Sequence, residues 1–163
     1  MLKHILSKWP ALVLLLGILF FLGWLRDYFF LNMNDQLYKL YFSGYEFRLP
    51  SPLRWMERFP YKELYYLKYF ITILFSVLYF LLTWIGMRVF FPYRKKLLKE
   101  ITVVYAVLGL IAAIPMAFAL WGDSFRAAYG FSRMVIGIMH SPLIFMLAFP
   151  AMFLQSESNE NKD

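Results

Sequence analysis

Four long apolar runs, each bounded by charged, aromatic or proline residues, dominate the pattern of hydrophobic and polar positions. The runs cover residues 9–25, 69–91, 101–121 and 134–154. A helix needs about 17–25 mostly apolar residues to cross a hydrocarbon core roughly 30 Å thick, because each residue adds about 1.5 Å. The pattern therefore predicts an all-α membrane protein with four transmembrane helices in a single domain, residues 1–154.

The segment between the first two runs, residues 26–68, is predicted to contain two short helices. Asn34 is a candidate cap for the first, with Gly44 as its stop, and the second starts at Ser51 and ends before Pro60. Both mix large aromatic residues with lysine and arginine, which is typical of helices lying in the headgroup layer.

Two functions are open for this outer loop. Its aromatic side chains either anchor the chain in the headgroup layer or form a docking surface for another protein. On the second hypothesis, the contact residues include Tyr41 and Trp55.

Composition supports the membrane class and excludes several kinds of chemistry. Hydrophobic residues make up 61% of the chain and aromatic residues 21%, against an apolar fraction of about 45–50% in soluble domains. The chain has no cysteine, which excludes a thiol nucleophile, a disulfide or a cysteine-ligated metal. The net charge of +7 arises largely beside apolar runs, so it indicates anionic lipids as partners rather than nucleic acid.

The distribution of basic residues predicts the orientation. The densest basic cluster, residues 94–99, lies in the short connector between the second and third runs, and short basic connectors stay in the cytoplasm. Lys3 and Lys8 place the N-terminus on the same side. With an even number of spans, the polar tail at residues 155–163, predicted to be disordered, is cytoplasmic too.

Small residues recur at a spacing of four in the third run: Gly109, Ala113 and Ala117. Such a stripe lets another helix approach closely, and the partner helix belongs either to this chain or to another one. Prolines within the runs predict local kinks, because each removes a backbone donor. These prolines are Pro115, Pro142 and Pro150.

The sequence His140-Ser141-Pro142 is the only strongly polar cluster deep in any run. Arg126, Arg133 and His140 are seven residues apart, which predicts one shared helix face, and Arg133 and His140 are candidate partner-binding residues on it. His140 has three possible roles: a hydrogen bond to a carbonyl freed by a proline, contact with a partner, or proton or ligand chemistry. The runs contain no acidic residue for a catalytic triad, and two distant histidines do not make a metal site, so no catalytic residue, metal or cofactor is predicted.

Two stretches resemble a known family. The first runs from Leu37-Tyr38-Lys39 through Arg48-Leu49-Pro50, and the second from Tyr129-Gly130-Phe131 through His140-Ser141-Pro142 to Phe149-Pro150-Ala151 and Gln155. They are similar to the small membrane proteins encoded beside exosortase F in Bacteroidota. The chain departs from that pattern in having His140-Ser141 before the proline, where glutamine is expected, and in a longer segment at residues 51–59.

The resemblance implies a four-span accessory protein in the bacterial cytoplasmic membrane. Its partner would be a polytopic membrane protein, either an exosortase or a secretion-system component. An exosortase is a transpeptidase-like cysteine enzyme that processes C-terminal sorting signals. We therefore expect a non-catalytic accessory or scaffold subunit. The alternative is a small transporter or lipid-directed enzyme using His140 and Arg133. A homo-oligomeric channel is a weaker third hypothesis, because no run has a polar stripe suited to line a pore.

Overall fold

The computed structural model describes residues 7–42, 47–92, 94–119 and 125–160, and these residues are almost entirely helical. Within those ranges there is no β-strand. The helices, in chain order, are α1 (Trp9–Tyr41), a 3-10 helix (Ser51–Arg58), α2 (Tyr61–Phe90), α3 (Lys95–Ala119), α4 (Phe125–Met139) and α5 (Leu143–Glu160).

Three helical segments are long and apolar enough to cross a membrane: α1, α2 and the part of α3 from Lys95 to Pro115. Two further segments, Ala127–Met139 and Leu143–Leu154, meet this criterion only together, and they are bent by 50° at the break between them. The described residues therefore provide 3 candidate spans, or 4 if the bent pair counts as one. This supports the predicted membrane class, while the last apolar run is two helices rather than one.

The first helix is much longer than the first apolar run. It continues to Tyr41, so Asn34 lies inside α1 and does not cap a separate helix. The Asn32 side-chain amide donates to the Tyr28 carbonyl at 2.8 Å, one turn back in the same helix, and so does not interrupt it. Gly44, the predicted stop, lies outside the described residues.

The chain forms two compact units. One of them, Phe21–Phe75, contains the second part of α1, the 3-10 helix and the first half of α2. Its core consists of buried apolar side chains from all three elements, among them Met33, Leu53, Met56 and Leu64. The Lys39 ammonium donates to the Phe47 carbonyl at 2.8 Å, which ties the end of α1 to the chain entering the 3-10 helix.

The other unit combines Met1–Phe20 with Ser76–Asp163. Here α3 buries one face, and the Ser132 hydroxyl of α4 donates to the Ala112 carbonyl of α3 at 2.7 Å. Near the end of α2, the Phe149 ring of α5 lies 5.3 Å from the Phe90 ring and 5.6 Å from the Phe91 ring, measured between centroids. α5 continues to Glu160, into the segment predicted to be a disordered tail, and residues 161–163 lie outside the described part.

Of the three prolines predicted to cause kinks, only Pro142 lies at a helix break. Pro115 is inside α3 and Pro150 is inside α5, and both helices continue past them. A proline removes one backbone donor wherever it occurs, so the break at Pro142 must also depend on its polar neighbours.

Candidate functional site

At the end of α4, the carbonyls of Ile136 and Ile138 accept hydrogen bonds from the two residues that follow the helix. The His140 amide donates to the Ile136 carbonyl at 2.9 Å, which is the last helical bond. The next residue, Ser141, donates twice to the Ile138 carbonyl, from its amide at 3.3 Å and from its hydroxyl at 2.8 Å. The Ile138 carbonyl, which cannot receive a hydrogen bond from Pro142, is therefore satisfied by Ser141.

The start of α5 uses the same serine. The Ser141 hydroxyl oxygen accepts from the Leu143 amide at 3.4 Å, as an N-cap side chain does. Pro142 then stands in the first helical position, where a missing amide proton costs nothing, and its carbonyl accepts from the Met146 amide at 2.9 Å. Ser141 and Pro142 together end one helix and begin the next.

His140 is freed by this arrangement to make a long-range contact. Its side chain is 2% exposed, and its Nε2 lies 2.6 Å from the hydroxyl oxygen of Ser76 on α2. The imidazole is parallel to the Tyr79 ring within 10°, with 6.1 Å between centroids. One of the three roles considered for His140 was a bond to a carbonyl freed by proline, and Ser141 makes that bond to the Ile138 carbonyl.

Ser76 belongs to a polar seam on α2, which we define as Ser76, Tyr79 and Thr83 with their partners. These three residues follow at spacings of three and four, so they share one helix face. The Tyr79 hydroxyl donates to the Leu19 carbonyl of α1 at 3.1 Å, and the hydroxyls of Thr83 and Tyr105 of α3 are 3.1 Å apart. The polar seam thus links α2 by hydrogen bonds to α1, α3 and the break after α4.

The Ser76–His140 pair has the separation of a serine nucleophile and its base. A working catalytic set also needs a group that orients the histidine, usually a carboxylate. The sequence has no aspartate or glutamate at residues 64–99 or 127–154, so the apolar stretches that carry the pair supply none. An unpaired polar group in hydrocarbon costs several kcal/mol. This geometry lets the serine and the histidine each serve as the hydrogen-bond partner of the other.

The structure places Arg133 and His140 in different environments. Their separation of seven residues corresponds to about 10.5 Å along a helix axis. Arg133 is exposed on α4, whereas His140 is buried. The two side chains therefore differ in burial, and the prediction that they share one helix face stays a prediction. The side chain of Arg126, the third member of the predicted face, lies outside the described residues.

Among the described residues, no other helix packs closely against the small-residue stripe on α3. A Cβ atom added to Gly109 would meet nothing within 4 Å. Ala113 and Ala117 are both exposed. The alternative that the partner helix belongs to this chain is therefore not supported by the described residues.

Close helix approach occurs instead at Gly86 of α2, which the sequence analysis missed. A Cβ atom at Gly86 would overlap the Leu15 Cδ2 of α1 and lie 3.0 Å from the Phe145 Cε2 of α5. The available signal was an isolated glycine inside a run of large apolar residues, which often marks a packing requirement.

The two aromatic residues predicted to face a partner from the outer loop are both exposed. Tyr41 is 68% exposed and its ring centroid is 5.8 Å from that of Tyr61. Trp55 is 41% exposed and meets Phe59 edge to face at 5.9 Å. Their exposure is compatible with headgroup anchoring and with protein docking, so both hypotheses stay open.

The described residues hold no grouped metal ligands, and comparison with known proteins assigns no family. Over the described ranges, no three histidine, aspartate or glutamate side chains are grouped to hold a metal ion. No protein-family model, curated protein or solved structure matches the chain. The functional conclusion therefore depends on the geometry of the chain and on the sequence resemblance described above.

Proposed function

We propose that the chain is a non-catalytic subunit that supports a larger membrane protein complex through direct helix contact. The observation that carries this proposal is the contrast between two glycines. At Gly86, the space that a Cβ atom would occupy is taken by the side chains of neighbouring helices. At Gly109 that space is open, and the neighbouring Ala113 and Ala117 are exposed. A flat, small-residue face in lipid gains most from the close approach of another helix, because van der Waals contact is the main attraction available there.

The distribution of polar groups also supports an accessory role. The hydroxyls of Ser76, Tyr79 and Thr83 each have a partner within the chain, and His140 is engaged with two of these residues. These groups stabilise the packing of the helices.

The resemblance to the exosortase-associated proteins guides the choice of partner. We propose a polytopic exosortase-type transpeptidase, or another component of the same sorting or secretion system, in the bacterial cytoplasmic membrane. This chain has no cysteine, so the thiolate nucleophile of such a system would belong entirely to the partner. Tyr41 and Trp55 are the exposed aromatic residues proposed to extend the contact outside the apolar region.

The proposal is tested by extracting the tagged protein from native membranes with mild detergent. We expect a stoichiometric complex that is lost in the double variant Gly109→Leu/Ala113→Leu, because two leucines prevent the close approach. The matched control is Val103→Leu/Val107→Leu, which adds bulk at two exposed positions on another side of α3. A single monodisperse subunit after crosslinking in membranes, or equal effects of the two double variants, would refute the proposal.

The alternative of a small transporter or lipid-directed enzyme predicts a different result. Its two residues differ in exposure, because His140 is buried and Arg133 is exposed. Under the accessory hypothesis, Arg133→Gln weakens assembly, because Arg133 is a candidate partner contact, and there is no separate activity to lose. Loss of a transport or lipid-modifying activity in Arg133→Gln membranes, with the complex intact, would favour the alternative.

A further inference from the structure

Basic residues are concentrated at one end of the unit that combines Met1–Phe20 with Ser76–Asp163. They belong to the start of α1, the end of α2, the connector and the start of α3: Lys8, Arg88, Arg94, Lys95, Lys96 and Lys99. Glu100 is the only acidic residue between positions 64 and 122, and Glu157 and Glu160 follow in the last turns of α5. The basic residues outnumber these acids, so this end attracts anions.

Lys8 is held in place at this end by the backbone of another helix. Its ammonium donates to the Val89 carbonyl at 2.9 Å, in the last turn of α2. Carbonyls in the last turn of a helix have no partner inside the helix and carry partial negative charge, which suits a cation. An ammonium has three donors, so the bond to Val89 leaves two for an anion.

Arg88, the residue before Val89, is positioned by an aromatic ring. Its guanidinium carbon lies 5.3 Å from the centre of the Trp84 ring, one turn earlier in α2. Such stacking uses the face of the guanidinium and leaves the N–H groups in its plane for bidentate binding of a phosphate. Arg88 is exposed, so these groups are accessible.

An apolar strip continues from this pair towards the middle of α2. Leu81, Ile85 and Val89 are all exposed, and their spacing places them on the same face as Arg88. Trp9, next to Lys8, is exposed as well. A ligand that covers this surface needs an anionic head and an apolar chain.

We infer that Lys8, Trp84 and Arg88 form a binding site for one anionic phospholipid. Its phosphate lies between the ammonium of Lys8 and the guanidinium of Arg88, and one acyl chain lies along Leu81 and Ile85. The other basic residues attract anionic headgroups without fixing a single lipid, because Lys96, for example, has a side chain that is 91% exposed.

The test compares phosphatidylglycerol with phosphatidylcholine binding to the purified full-length chain in detergent by native mass spectrometry. For the wild type we expect a bound phosphatidylglycerol that phosphatidylcholine does not replace. The variant Lys8→Gln/Arg88→Gln should weaken this binding by roughly fivefold for each cation removed. The matched control, Lys96→Gln/Lys99→Gln, removes the same charge and should change binding far less.

Two further variants separate the site from folding defects. Arg88→Gln leaves the Lys8–Val89 bond intact and should still weaken binding, while thermal unfolding stays at the wild-type temperature. Trp84→Leu keeps both charges and should weaken binding by loss of stacking. Equal losses in the two double variants, equal binding of the two lipids, or full competition by soluble glycerol phosphate would overturn the inference.

Discussion

Replacing Gly86 by leucine should destabilise the protein, whereas the same replacement at Gly109 should not. A Cβ atom at position 86 overlaps Leu15 and lies 3.0 Å from Phe145, which is 1% exposed. Overpacking of this kind costs about 1–3 kcal/mol, and leucine carries three more carbons beyond Cβ, which puts the cost towards the upper end. Leucine is a better helix former than glycine by about 0.8–1 kcal/mol, so the net loss at position 86 is about 1–2 kcal/mol.

At Gly109 only the gain in helix propensity remains, because nothing lies within 4 Å of the added Cβ atom. The expected net effect is between no change and a gain of about 1 kcal/mol. Gly86→Ala should fall between the two leucine variants, since the Leu15 methyl group that it meets belongs to a half-buried side chain that can rotate.

The measurement is equilibrium unfolding of the purified chain by SDS titration, followed by circular dichroism. The expected order of stability is Gly109→Leu, equal to or above wild type, then Gly86→Ala, then Gly86→Leu. If Gly86→Leu unfolds at the same SDS fraction as Gly109→Leu, the close approach of α1, α2 and α5 at position 86 is wrong.

The polar seam yields two further predictions. Thr83→Val keeps the side-chain shape but leaves the Tyr105 hydroxyl without its partner, and should cost about 0.6–1.7 kcal/mol in the same titration, whereas Thr83→Ser should cost less; identical unfolding of both variants would contradict this bond. A double-mutant cycle of Ser76→Ala and His140→Ala should give a coupling energy of about 0.5–2 kcal/mol, and additive effects of the two single changes would show that these side chains do not interact.

The helical class and the apolar segments could be predicted from sequence because length and hydrophobicity alone decide them. The end of α1 could not, because Asn34 looked like the start of a separate helix. Asn32 bonds a carbonyl of its own helix, and Asn34 lies within the helix without ending it. A cap residue acts as a cap only where the helix has a reason to start or stop, and such a reason is not visible in a short window.

The break before α5 was within reach of the sequence. A serine followed by proline is a helix-start signal, with Ser141 as the cap and Pro142 in the first position. The partner of His140 could not be predicted, because Ser76 is 64 residues away and a serine in an apolar run does not indicate which residue it will bond. That helices approach closely at Gly86 and not at Gly109 likewise depends on which helices become neighbours in the fold.

The discontinuity of the larger unit has a consequence for biogenesis. Translation delivers residues 21–75, a compact unit of their own, before Ser76 leaves the ribosome. Leu15 and Leu19 of α1 are therefore made well before their partners Gly86 and Tyr79, and they lack these contacts until the whole of that unit has been synthesised. The Ser76 hydroxyl and Gly86 are present before the last part of the chain is made, so His140, at the break after α4, and Phe145, on α5, make their contacts last.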